Sequence, residues 1–171
     1  MSRKYKVGFI GCGNMGFAML SGLISSGQVK ASEVIASEKF KPSKKKASDL
    51  GVAVTEENEE LVKDSDVIFL VVKPYQHEEV YPAIRENLSP DQILISVAAG
   101  VSVTTVEQAC ISIDVAGKIK VVRAMPNTPA LVGEGMTALA VNSNVTEEDQ
   151  KLILSYFNAF GKARIVSESL M

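Results

Sequence analysis

The sequence predicts an α/β fold, a doubly wound, mostly parallel sheet forming one domain over residues 1–171. Three observations carry that reading. Strand-like apolar runs alternate with segments of helical period along the whole chain. The run VIFLVV, Val67 to Val72, is unbroken, as a central strand covered on both faces should be. The decapeptide VGFIGCGNMG, Val7 to Gly16, sets a short apolar run directly against Gly11, Gly13 and Gly16.

Taken in order, Tyr5, Val7, Phe9 and Ile10 are β-formers, and Met15, Met19, Leu20, Leu23 and Ile24 recur at helical spacing. Small Ala18 and Gly22 on that helix allow close packing on a sheet. A second strand follows at Val34 to Ala36, then a short helix from Lys44 to Leu50 that Gly51 ends, and a brief strand from Val52 to Val54. Leu61 and Val62 belong to a small helix before the VIFLVV strand, which stops at Lys73 and Pro74. A helix from Gln76 to Asn87 leads to a strand from Ile93 to Val97. The next helix is expected to open with Thr104 and Glu107 in capping-box spacing. A strand from Ile119 to Arg123 runs into MPNTP, Met125 to Pro129, where two prolines predict a shaped loop without regular structure. A strand from Thr137 to Val141, a helix opened by Thr146 and reaching Phe160, and a strand from Ala163 to Val166 complete the order.

Composition narrows the function classes. The 171 residues are 46% apolar, enough for a sizeable core, and a net charge of −2 gives no reason to expect nucleic acid or an anionic membrane as partner. No apolar run has the length of a membrane span, and MSRKYK leads straight into a strand, so the expected location is the cytoplasm. Cys12, Cys110 and a single histidine, His77, match no zinc spacing, and no metal is expected.

The glycines carry the functional expectation. In a Rossmann-type βαβ unit the first glycine makes a tight turn, the second lets backbone approach a pyrophosphate, and the third lets helix and strand pack closely. The helix start then offers free N–H groups to the phosphates. Glu38 stands about twenty residues beyond the last glycine, where an acid can bond a ribose hydroxyl. The alternative is a glycine-rich corner with a purely structural role. Ligands of such sheets sit beyond the carboxyl ends of the strands, which selects Gly11 to Gly16, Ser37 to Lys39, Lys73 and Pro74, Ala98 to Gly100, and Met125 to Pro129.

Taken together, GCGNMG, the NEE segment at Asn58 to Glu60, VVKP at Val71 to Pro74, SVAAGV at Ser96 to Val101 and MPNTP resemble the pyrroline-5-carboxylate reductase family. The resemblance spans nearly the whole chain. It implies an NAD(P)H-dependent oxidoreductase that gives a hydride to the C=N carbon of 1-pyrroline-5-carboxylate and makes L-proline, the last step of proline biosynthesis. It places Ile10, Gly11, Cys12, Gly13, Asn14, Met15 and Gly16 in the pyrophosphate turn and Glu38 and Lys39 at the adenosine ribose. Asn58 resembles a cofactor-contacting asparagine; Val71, Val72, Lys73 and Pro74 match the segment passing the nicotinamide half, and Val97, Ala98 and Ala99 a loop beside the same ring. No catalytic proton donor is identified among these residues. Members of the family continue into a helical domain that forms a homo-oligomer and holds the substrate carboxylate, so this chain is expected to be the cofactor-binding part, monomeric and inactive alone.

The lysines Lys39, Lys41, Lys44, Lys45 and Lys46 could meet the 2′-phosphate of NADP, or form an ordinary solvated helix face. Glu38 opposes that phosphate, but the lysines are mobile and Glu38 could turn away to solvent, so the cofactor reading leans to NADP(H) with NAD(H) allowed. His77 is expected at the surface, Cys12 as a small residue of the turn, Cys110 in the core, and Lys73 facing solvent. The rival functions are a nicotinamide dehydrogenase of the hydroxyisobutyrate or 6-phosphogluconate type, and a dinucleotide-binding module without chemistry.

Overall fold

The computed structural model describes residues 3–112 and 118–171, so Met1 and Ser2 of MSRKYK lie outside the described residues. Among the described residues, eight strands form one sheet in the order β3-β2-β1-β4-β5-β6-β7-β8. They are β1 (Tyr5–Ile10), β2 (Val34–Ser37), β3 (Ala53–Thr55), β4 (Ser65–Leu70), β5 (Ile93–Ser96), β6 (Lys120–Pro126), β7 (Gly135–Val141) and β8 (Gly161–Ile165). All neighbours pair parallel except β6 and β7, which run antiparallel with Met125 opposite Ala138. Strand order reverses between β1 and β4, the switch point beside which ligands of open α/β sheets bind.

Two helical layers cover the sheet, which is why β1 and β4 are apolar on both faces. On one face α1 (Asn14–Ser25), α2 (Lys41–Asp49) and α6 (Glu147–Phe157) pack through Met19, Leu20, Leu23, Ala47, Ile153 and Phe157 onto Val7, Phe9, Val67 and Phe69. On the other, α3 (Asn58–Asp64), α4 (His77–Asn87) and α5 (Val103–Cys110) bury Leu61, Val80, Ile84 and Val106 against Ile10, Ile68 and Leu70. Phe9 and Phe69 stack across adjacent strands at 4.7 Å between centroids, and Phe157 leans on Phe69 at 5.7 Å.

The expected elements are present, with shifted ends. The VIFLVV strand closes at Leu70 because β1, its partner, ends at Ile10 and turns away; Val71 N–H still donates to Ile10 O (2.8 Å). Thr104 does not open α5. Ser102, in extended backbone, is the cap, its Oγ accepting from Thr105 N at 3.1 Å, and Thr104 lies one position inside the helix. Nor is MPNTP wholly irregular: Met125 and Pro126 extend β6, and Thr128–Val132 form a 3₁₀ turn. Thr146 caps α6 as its sequence signals, with Asp149 completing the reciprocal box. Asn158–Phe160 form a 3₁₀ turn rather than more of that helix.

Buried Gln92 spans the lower end of β4, donating to Val62 O and Ser65 O (2.6 Å each) and accepting from Ser89 N. Near the C-terminus, Glu168 Oε1 accepts from both Arg123 Nη1 (3.0 Å) and Val103 N (2.8 Å), fastening the last turn to β6 and α5. Phe69→Ala removes the ring shared by Phe9 and Phe157, and should cost roughly 3–5 kcal/mol, read as a lowered urea midpoint at unchanged slope.

Candidate functional site

The carboxyl ends of β1, β2, β4 and β5 are stitched into one rim. Gly11 N donates to Ser37 O (3.0 Å), Glu38 N to Thr55 O (3.1 Å), Val71 N to Ile10 O (2.8 Å) and Val97 N to Leu70 O (3.0 Å). These bonds bring the sequence-selected loops side by side along the crevice between β1 and β4.

The three glycines of the turn have different reasons to be glycine. Gly11 has φ +91°, and a Cβ there would lie 2.7 Å from Val71 O. At Gly16 a Cβ would meet Gly11 O at 2.5 Å, so the first turn of α1 can lie on the loop only without a side chain. Gly13 differs: its φ is −68°, open to any residue, and a Cβ would find no protein atom within 4 Å. Among the described glycines it alone lacks both a positive φ and a close neighbour. It is the N-cap of α1 with no side-chain cap bond, so the first-turn N–H groups face open space.

Glu38 is turned toward the glycine turn and not away to solvent. Its Oε2 accepts from Cys12 N (2.8 Å) and its Oε1 from Phe40 N (2.9 Å), which draws the carboxylate onto the glycine turn. Two backbone N–H groups hold it more firmly than water would. Asn58 is fixed from the β2 end, Ser37 Oγ donating to its Oδ1 at 2.6 Å. Of the lysines, Lys44 pairs with Glu56 (2.7 Å), Lys45 with Asp49 (2.7 Å), and Lys46 lies 6.0 Å over the Phe17 ring. Lys39 is left facing the crevice.

Ile10, Gly11, Glu38, Lys39, Asn58 and Val72 line one cavity of about 120 Å³. Gln76, Glu79 and Val80 complete its wall, and no sequence motif singles them out beyond their place just after Lys73 and Pro74. Cys12, Gly13 and Asn14 open instead on a larger groove of about 640 Å³ that continues along α1 to Leu131 and Val132. Met15 and Gly16 belong to the first turn of α1, Ala98 is buried, and Ala99, Lys73 and Pro74 are exposed on the rim. Val71, Val97, Ala98 and Ala99 line neither cavity; Val71 and Val97 join the rim through their backbone N–H groups.

His77 is not a surface residue. It is 3% exposed, its Nδ1 is 2.8 Å from Tyr81 Oη, and its Nε2 has no hydrogen-bond partner. Burial lowers its pKa from the ordinary 6.5, and the Val72 backbone offsets part of that. Tyr81, buried beside it, is pushed up to about 12 by burial. Burial, with the Glu38 charge adding, likewise pushes the Cys12 thiol up to about 11, and Cys110 reaches about 12 in the core. Neither thiol is a ready nucleophile at neutral pH. Among the described residues, no helix is long and apolar enough to cross a membrane, and no three His, Cys, Asp or Glu side chains are grouped to hold a metal ion.

A reversed strand order with a glycine turn at its switch point defines a Rossmann-type α/β domain. The chain belongs to the NADP oxidoreductase, coenzyme F420-dependent family, whose model matches residues 6–100. It is 39% identical over 170 residues to the pyrroline-5-carboxylate reductase of Escherichia coli (strain K12), covering 97% of this chain and 60% of that one. Its structure is similar to a pyrroline-5-carboxylate reductase from Coxiella burnetii, with TM-score 0.86 and 28% identity over 96% of this chain and 60% of the other. It is also similar to the Plasmodium falciparum pyrroline carboxylate reductase with NADP bound, with TM-score 0.82 and 29% identity over 98% and 60%. The chain thus spans about three fifths of the length of the relatives it matches.

Two outcomes follow from this geometry. Gly16→Ala should destabilise the fold by roughly 1–3 kcal/mol through its clash with Gly11 O, whereas Gly13→Ser, which adds a good N-cap in open space, should hold or raise the melting temperature. The buried neutral His77 must gain a proton on unfolding in acid. The unfolded chain therefore binds more protons below 6.5, and stability is fully present above that pH and falls as pH drops through it. In His77→Gln the fall in urea midpoint between pH 7.5 and 5.5 should be smaller than in the parent.

Proposed function

We propose that this chain is the cofactor-binding part of a pyrroline-5-carboxylate reductase, holding NADP(H), with NAD(H) also accepted. The observation that carries the reading is Gly13. Nothing in the fold asks for glycine there, while a backbone that must lie against a pyrophosphate does. Gly11 and Gly16 are needed by the turn itself and would be glycine in a structural corner too.

In this reading the N–H groups of Asn14 and Met15 at the open start of α1 receive the pyrophosphate. Glu38, steadied by Cys12 N and Phe40 N, keeps outward lone pairs for a ribose hydroxyl, and Lys39 lies beside it to answer a 2′-phosphate. Val71 to Pro74 run from the small cavity, which Val72 lines, along the rim toward the nicotinamide half, with Val97 to Ala99 beside that half. When bound, the reduced dinucleotide supplies the hydride to the carbon of a C=N bond whose nitrogen is already protonated, which gives CH–NH. The protein's share is orientation and exclusion of water from one face of the ring. The relatives' names give the substrate, pyrroline-5-carboxylate, whose reduction at C=N yields proline; the two fifths of their length outside the match are where we place the groups that hold the substrate carboxylate and join subunits. These 171 residues then form a monomer. The free thiols of Cys12 and Cys110 agree with a reducing compartment, the cytoplasm.

Calorimetric titration tests the reading. The chain should bind NADPH more tightly than NADH, Glu38→Ala should widen that preference, and Gly13→Ser should weaken both at least tenfold while melting like the parent. Turnover of pyrroline-5-carboxylate by the 171 residues alone should be poor or absent. A chain that bound neither dinucleotide would falsify the assignment, and normal turnover would remove the division of labour.

A further inference from the structure

Gln76, Glu79 and Val80 make the far wall of the small cavity. They stand at spacings of three and four residues, so one face of the start of α4 presents all of them to the crevice. Gln76 is oriented: its Oε1 accepts from Lys73 N at 3.1 Å, which leaves its NH₂ group as a free donor. Glu79 is exposed and, among the described residues, enters no ion pair or hydrogen bond, so its carboxylate is a free acceptor. Val80 is 6% exposed and gives an apolar floor between them. Across the cavity stand Ile10, Gly11 and Val72, and the ribose-facing Glu38 forms its rim. At about 120 Å³ it is too small for a whole dinucleotide, whose sites run to several hundred Å³, and has room for one moiety.

We propose that this wall of α4 reads the purine of the dinucleotide and selects adenine through its 6-amino group, Glu79 accepting from that group while Gln76 donates to the neighbouring ring nitrogen. The inference rests on the dinucleotide reading above and deepens it. Adenine offers a donor at N6 beside an acceptor at N7 or N1, the complement of a carboxylate next to an amide NH₂. Hypoxanthine replaces the amino group with a carbonyl oxygen. That oxygen would face the Glu79 carboxylate with no proton between them, a repulsive as well as a lost contact.

The test compares NADH with reduced nicotinamide hypoxanthine dinucleotide, two ligands identical outside the purine, by calorimetry on the same chain. The parent should bind the hypoxanthine analogue about tenfold more weakly or worse. Glu79→Gln can turn its amide to donate to the hypoxanthine oxygen, so the gap should close mainly by tighter binding of the analogue. Glu86→Gln, on the same helix away from the cavity, should leave both constants unchanged. Equal affinity of the parent for the two ligands overturns the proposal. So does a Glu79→Gln variant that shifts both affinities by the same factor, since that is a general charge effect on a polyanion. A parent that binds neither ligand overturns the dinucleotide reading instead.

Discussion

The crevice depends on how closely backbone meets backbone where strand order reverses. Gly11 lies over the Val71 carbonyl with φ +91°, and Gly16 lies over the Gly11 carbonyl. Either contact would be closed to a residue with a Cβ, because interiors at native density have no slack for a methyl group against a carbonyl oxygen. The consequence reaches beyond the turn. With Gly11 seated, its N–H reaches Ser37 O and the Ile10 carbonyl is left for Val71 N–H, so the ends of β2 and β4 are held to β1. With Gly16 seated, α1 starts close to the sheet and points its open end along the crevice. The same contacts bring Phe9 and Phe69 into register beneath it.

Where the sequence could be read, it was the periodic parts that could be read. Alternation of apolar runs and helical spacing marks each of the eight strands, since two-sided burial leaves little choice of residue at Val67 to Leu70 or Ile93 to Ile95. Ends were read less well. Val71 and Val72 are as apolar as the strand before them, but a strand extends only as far as its neighbour, and that neighbour's end is a tertiary fact. Pro126 looks like a strand breaker and nevertheless closes β6, in line with the occurrence of proline at strand limits. Ser102 outcompeted Thr104 as a cap because backbone geometry decides which hydroxyl is in place.

The site was legible along the chain and obscure across it. The glycine turn, Glu38 and Asn58 sit at spacings that a βαβ unit fixes; Gly11, Glu38 and Asn58 line one cavity, while Cys12, Gly13 and Asn14 open on the groove along α1. His77 is buried where its sequence neighbours suggest a surface site, because burial of a polar ring depends on a partner, and Tyr81, one helical turn later, supplies it. Gln76, Glu79 and Val80 carry no motif. They are brought to the crevice by the angle at which α4 leaves β4, and a spacing of three and four residues in a polar helix start does not announce a wall.

Glu38 sets two demands against each other. A carboxylate tied to Cys12 N and Phe40 N is held at the mouth of the phosphate turn, where the open end of α1 favours anions. It orders the turn and offers acceptors to a ribose diol. A 2′-phosphate brought to the same place meets like charge, at a cost of about 1 kcal/mol per pair in water and more as the crevice closes. Lys44 and Lys45 are engaged by Glu56 and Asp49, which leaves Lys39 as the cation lining that cavity. In the proposed reading one ammonium beside a fixed carboxylate would leave a narrow margin between the two cofactors, set by the anchoring of Glu38 rather than by the number of lysines after it.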